Sequence, residues 1–259
     1  MTTTNPYAAP KAAVADAVSP QAGNFVPGGH AVPAGRGWDW IASAWNLFKR
    51  QPGMWVGMII VLGVIFIGLA LIPVIGSLAL SLLFPVFGAG FAIGCRALDQ
   101  GGELEFGHLF AGFRERFGTL VAVGALYLAV SLAIFFVFSL ISGLGMMVML
   151  GGNVDPEAMA GTMQNLLLAT LVMMALMIPL AMAVWFAAPL VVFHQRGALE
   201  AMKESFFGCL KNILPFLLYG VILFLLSMVA TIPLGLGWLV LGPVAVATIY
   251  TGYRDIYFT

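Results

Sequence analysis

The chain alternates long charge-free apolar runs with short polar connections, and the runs have a consistent length. No Lys, Arg, Asp or Glu occurs between Arg50 and Arg96, and the turn signal Pro73-Val74-Ile75-Gly76 divides that stretch. The division predicts two spans, at about 54–72 and 77–96. A second charge-free run, between Arg116 and Asp155, predicts a span near 119–142 followed by a Gly- and Met-rich extension. A third, from Glu157 to Arg196, predicts one near 166–190. The last run, between Lys211 and Arg254, is split by Pro233-Leu234-Gly235 into spans near 213–232 and 236–252. A span of about 20 residues rising 1.5 Å each crosses a hydrocarbon core about 30 Å thick. Lipid offers no partners for backbone N–H and C=O groups, so helices are expected. The strict alternation of an outer-membrane barrel strand is absent. The expected fold is therefore an all-α integral membrane protein with six transmembrane helices.

The basic residues fall on one side of this pattern. Lys11, Arg36, Lys49 and Arg50 precede the first span. Arg96, Arg114 and Arg116 lie between spans two and three, Arg196, Lys203 and Lys211 between spans four and five, and Arg254 after span six. The three opposite connections contain no Lys or Arg. The positive-inside rule then predicts cytoplasmic N- and C-termini. Residues 1–37 are rich in Ala, Pro, Gly and Thr and have no apolar segment of signal-peptide type. They are expected to form a disordered cytoplasmic tail, with 38–259 as the membrane domain and the first span as an uncleaved insertion signal.

A short amphipathic segment precedes spans one, three and five. The expected apolar stripes are Trp38, Ile41, Trp45 and Phe48; Phe106, Leu109, Phe110, Phe113 and Phe117; and Leu199, Met202, Phe206, Leu210 and Ile213. Helices with one aromatic and one charged face tend to lie in the headgroup plane. Phe48-Lys49, Phe113-Arg114 and Leu210-Lys211 occupy equivalent places in the three segments. The second span of each unit carries a proline, Pro85, Pro189 or Pro243, and ends on an arginine, Arg96, Arg196 or Arg254. The chain thus reads as three repeats of an interfacial helix plus a helical hairpin.

This order of parts, with the ending Tyr250-Thr251-Gly252-Tyr253-Arg254-Asp255-Ile256-Tyr257-Phe258 and the opening Asn5-Pro6-Tyr7-Ala8-Ala9-Pro10, resembles a family of uncharacterised proteobacterial inner-membrane proteins. That family is similar to the YciC-like proteins and, distantly, to the membrane domain of some glycerophosphodiester phosphodiesterases. The resemblance implies a six-span protein of the bacterial inner membrane concerned with envelope maintenance. It transfers no active-site residues.

Composition sharpens the class. Hydrophobic residues make up 61% of the 259 and charged residues 8%, against about 25% in soluble domains, so this chain cannot cover a water-facing globule. A formal net charge of zero argues against nucleic acid as a partner. Two cysteines, Cys95 and Cys209, make no disulfide framework. His108 and His194 have no metal-ligand spacing with them, and His30 is expected to be solvated in the tail. The methionines crowded between Met146 and Met182 are soft enough for Cu(I). No His or Cys lies among them, and methionine is also an apolar filler. No catalytic residue, metal ligand or cofactor site is expected.

The residues that stand out are of two kinds. Pro85, Pro189 and Pro243 are candidate span kinks, at places where transporters often build sites. Arg96, Arg196, Arg254, Lys49, Arg114 and Lys211 form a candidate cytoplasmic interface for anionic lipids, beside the acids Asp99, Glu200 and Asp255. Gly90 and Gly94 form a G-x-x-x-G pair able to bring helices close. The interior of the spans contains hydroxyls but no Asp, Glu, Lys, Arg or His, the reverse of a proton- or ion-coupled pathway. The favoured expectation is a non-catalytic membrane component, not an enzyme: a scaffold, assembly factor or regulator with the bilayer and another membrane protein as partners. The alternative is translocation of lipid or a small apolar or neutral solute.

Overall fold

The computed structural model describes residues 23–150 and 156–259. Its elements are α1 (Arg36–Arg50), α2 (Pro52–Ala70), α3 (Ile75–Asp99), the single turn α4 (Phe106–Leu109) with a 3-10 turn at Ala111–Phe113, α5 (Phe117–Leu150), α6 (Pro156–Trp185), α7 (Ala187–His194), α8 (Ala198–Lys211), α9 (Ile213–Thr231) and α10 (Trp238–Tyr257). Among the described residues the only β pairing is an isolated bridge between Phe25 and Phe258.

Among the described residues five segments are long and apolar enough to cross a membrane: Pro52–Ala70, Ile75–Asp99, Phe117–Gly143, Met159–His194 and Ile213–Thr231. They are apolar around most of their circumference because one side meets protein and the other meets lipid. Val64, Ile67, Phe136, Leu168, Ile178, Leu217 and Phe224 are each more than half exposed, a larger apolar surface than a soluble monomer presents. α10 has 20 residues, about 30 Å of helix. Its last two turns carry Tyr250, Tyr253, Arg254, Asp255 and Tyr257, so it falls outside that group of five by composition.

The hairpin turns sit where the sequence placed them. Val74 adopts φ 62° before α3, and a Cβ on Gly76 would stand 1.7 Å from the Leu69 carbonyl oxygen. Between α9 and α10 Leu234 (φ 55°) and Gly235 (φ 83°) turn the chain, and Gly237 closes it against Ala230.

The amphipathic segments depart from expectation. α1 buries Trp40, Ile41, Ala44, Leu47 and Phe48, whereas Trp38 and Trp45 are exposed. The helix packs across α9 and α10, and this contact selects a face rotated from the predicted stripe. The second segment is one α turn and a 3-10 turn, with Leu109 buried and Phe106, Phe110, Phe113 and Phe117 exposed. α8 packs on α6 and α7 with Ala201, Met202, Ser205 and Cys209 buried, while Gly208 lies against Tyr257 and Leu199, Leu210 and Ile213 are left outside. Gly90 and Gly94 lie against Leu104, His108 and Leu109 of their own chain, so that face is already covered.

The expectation that 1–37 is wholly disordered is corrected. Residues 1–22 lie outside the described residues, but 23–35 run along the C-terminal end of the chain. The Asn24, Val26 and His30 N–H groups donate to the carbonyls of Thr259 (3.2 Å), Tyr257 (2.9 Å) and Ile256 (2.9 Å). The buried Asn212 side chain and the Lys211 ammonium bind this strap from the other side. Arg36 and Gly37 already belong to α1. His30 is half-buried and not solvated as expected.

α1 approaches α9 through Gly37. A Cβ there would stand 2.3 Å from the Pro215 carbonyl oxygen and 2.9 Å from the Tyr219 nitrogen, both backbone atoms that cannot swing aside. Gly37→Ala is therefore expected to force the helices apart and cost about 1–3 kcal/mol, the usual range for overpacking. Gly35→Ala, with nothing within 4 Å, is the control and should leave the thermal unfolding midpoint in detergent unchanged.

Candidate anion-binding cavity at the basic end

One end of the bundle holds a polar cavity of about 700 Å³ between α1, α3, α7 and α10. Helical spacing brings its lining together. Arg36, Ser43, Asn46 and Arg50 recur along one face of α1, Arg96 and Asp99 are one turn apart at the end of α3, and Tyr250 and Arg254 are one turn apart on α10. Phe193 and His194 enter from the end of α7, and the strap closes the rim near Gly23. Arginines at the last turns of α1, α3 and α10 also complement the carbonyl ends of those helices.

The two aspartates are engaged. Arg36 Nε donates to both carboxylate oxygens of Asp255, at 3.0 and 2.9 Å, and Trp40 Nε1 donates to the same group at 2.8 Å. This carboxylate raises the Arg36 pKa above its ordinary value, partly opposed by burial. Arg254 pairs with Asp99, which also accepts from the Tyr250 hydroxyl at 3.1 Å. Arg50 donates to the Leu98 carbonyl at the end of α3. The Arg96 guanidinium lies over the Phe193 ring, 4.1 Å from its centroid. His194 Nε2 and the Tyr253 hydroxyl are 2.5 Å apart, and Phe25 of the strap stacks on the imidazole with centroids at 3.6 Å.

Of the predicted interface residues, Arg96 and Arg254 converge on this cavity. Arg196 lies outside its lining, held by Glu200 (2.8 Å) and Glu204 (3.0 Å) of α8. Burial pushes the Glu204 carboxyl above its usual value, against the pull of Arg196. Lys211 clamps the strap through the Gly28 and Gly29 carbonyls (3.0 and 2.7 Å), and Lys49 and Arg114 are exposed elsewhere. Arg36 and Arg50 belong to the cavity although sequence reading did not single them out. Their i, i+14 spacing on one helix face was the available signal, but only the crossing of α1 over α10 gives it meaning.

Pro85 and Pro189 both line a narrow apolar cleft of about 80 Å³, while Pro243 is buried within α10 and does not line it. The α6–α7 break precedes Pro189, and Ser205 fills it. Cys95 and Cys209 are both buried, and burial pushes the Cys209 thiol up to about 12. The side chains of Met146, Met147 and Met149 lie outside the described residues, and Met159, Met163 and Met174 are exposed. Hydroxyls in the spans mostly bond their own helix, as at Ser131, Thr170 and Ser227, and Tyr219–Thr248 (2.7 Å) joins α9 to α10.

A chain whose described residues are almost all helical, with five segments able to cross a membrane and a basic polar end, is an integral membrane protein. It is 31% identical over 206 residues to a protein of Burkholderia thailandensis named "Probable inner membrane protein", covering 76% of this chain and 75% of that one. The chain belongs to the family of that inner-membrane protein. No protein-family model and no solved structure matches it.

Proposed function

We propose that the chain is a six-span protein of the bacterial inner membrane with both termini cytoplasmic, acting without catalysis as a scaffold, assembly factor or regulator of the envelope. α10 supplies the sixth span, its polar last turns emerging at the basic end. The element order supports three repeats, α1–α3, α4–α7 and α8–α10, in keeping with the YciC-like resemblance. The observation that carries the functional reading is where polarity lies. Between α2, α3, α6, α7 and α10 lies a narrow cleft of about 80 Å³, lined mainly by aromatic, aliphatic and small residues. The large polar cavity is confined to one end. A carrier for a polar solute needs a route continuing from such a cavity between the spans.

A second reading, lipid translocation, draws on the groove of about 470 Å³ between α5 and α6, where Thr162 and Asn165 interrupt an apolar lining. Reconstituted vesicles separate the two. The scaffold reading expects no scrambling of fluorescent phospholipid above protein-free vesicles and a reproducible crosslinked membrane partner in cells. Scrambling that scales with protein content overturns it. For topology, a phosphatase reporter at Thr259, active only outside the cytoplasm, should be silent.

A further inference from the structure

We infer that the basic-end cavity is a binding site for a phosphate-bearing anion, with Arg96 and Arg50 as its principal ligands. Four arginines and two aspartates line the cavity. Asp99 is taken by Arg254 and Tyr250, and Asp255 by Arg36 and Trp40. Among the described residues this leaves Arg50 and Arg96 without a carboxylate. Arg50 has one carbonyl partner, Leu98, and Arg96 has only the Phe193 ring. Two cations converging on one cavity repel each other, and a dianion or phosphodiester relieves that repulsion.

Geometry favours phosphate. A guanidinium stacked on an aromatic face is fixed in plane while its N–H edge remains available, the arrangement suited to bidentate recognition of planar oxygen pairs. Phosphate adds oxygens enough to engage a second guanidinium. Ser43 and Asn46 also line the cavity, and among the described residues neither side chain makes a hydrogen bond to the protein, so both can donate to an ester or glycerol oxygen. At about 700 Å³ the cavity lies within the range of about 300–1,000 Å³ seen for small-ligand sites. The phosphate can arrive on a lipid headgroup, since α1 carries the exposed Trp38 and Trp45 typical of a membrane interface, or as a free phosphate ester.

The test uses the full chain in neutral detergent, stripped of lipid. Phosphatidylglycerol retention is read by native mass spectrometry, and inorganic phosphate and glycerol 3-phosphate are titrated calorimetrically. Arg96→Gln and Arg50→Gln are each expected to weaken binding at least about tenfold, the range for a charge-assisted hydrogen bond, while Arg114→Gln leaves it unchanged. Binding of the soluble phosphates with displacement of phosphatidylglycerol assigns a free ester. Retention of the lipid without competition assigns a headgroup. Where a variant does not fold, protection of Arg96 from phenylglyoxal in the wild-type chain, by the same probes, carries the test. Failure of the wild-type chain to bind any of the three probes, or equal affinity in folded Arg96→Gln, overturns the inference. Neither topology nor the absence of catalysis enters it, so its failure would leave the proposed function standing.

Discussion

Asn212→Ala is expected to lower stability by about 3 kcal/mol and to expose the strap at 23–35 to protease. Asn212 is fully buried between α8 and α9, and its amide makes three bonds. Oδ1 accepts from the Val32 N–H at 2.8 Å, while Nδ2 donates to the His30 and Gly208 carbonyls, each at 2.8 Å. Truncation leaves these groups unpaired where each costs about 1–3 kcal/mol, less whatever the strap recovers from water when it lifts. Lifting also breaks the backbone ladder to Ile256, Tyr257 and Thr259 and removes Phe25 from His194. Cleavage at Phe25 by chymotrypsin should therefore quicken together with the fall in unfolding midpoint. Asn212→Asp keeps the acceptor for Val32 but turns an acceptor towards two carbonyls, and should be at least as damaging. If Asn212→Ala melts like the wild type and resists chymotrypsin equally, the strap is held by something other than this amide.

That strap marks the boundary of what the amino-acid order conveys. The spans are legible because lipid imposes one simple requirement, an uninterrupted apolar helix of fixed length. The stretches read as 54–72, 77–96 and 213–232 emerge as Pro52–Ala70, Ile75–Asp99 and Ile213–Thr231. The strap has the Pro-, Gly- and Ala-rich composition of a disordered tail, and its order comes from partners about 180 or more residues away. No local spacing announces those partners. The same limit applies to α1. Ile41 and Phe48 of the predicted stripe are buried, but Trp38 and Trp45 give way to Trp40, Ala44 and Leu47, and contact with α9 and α10 decides that rotation.

The cavity was half legible for a related reason. A cluster of arginines at span ends follows from topology, so Arg96 and Arg254 were visible as a group. Which of them an acid neutralises depends on helix packing. Arg196 looked equivalent to the other two until α8 placed Glu204 as well as Glu200 beside it. Arg36 and Arg50, read as ordinary flanking charges, become cavity residues only because α1 lies across the ends of α3 and α10.

The prolines raise the second large effect. In an unbroken helix the Phe186 N–H would donate to the Met182 carbonyl. Pro189 has no N–H for the Trp185 carbonyl and its ring crowds that turn, and the helix breaks at Phe186 (φ −107°, ψ 5°). Ser205 of α8, fully buried, stands in the gap, its hydroxyl accepting from the Phe186 N–H at 2.9 Å and donating to the Met182 carbonyl at 2.7 Å. One side chain thus replaces the missing bond and fastens α8 to the break. Ser205→Ala is expected to cost about 2 kcal/mol: two buried groups lose partners, yet hydrogen bonds in membrane proteins average below 1 kcal/mol because the unfolded chain finds others. The Cys209 thiol, 3.6 Å from the same carbonyl, is a weak substitute. Thermal or SDS unfolding checks the loss, and the double variant with Pro189→Ala checks the cause. With the N–H at 189 restored the helix can close Phe186 onto Met182, so removing the serine should then cost clearly less. Strict additivity of the two losses would mean that the serine supports α8 packing and not the proline break.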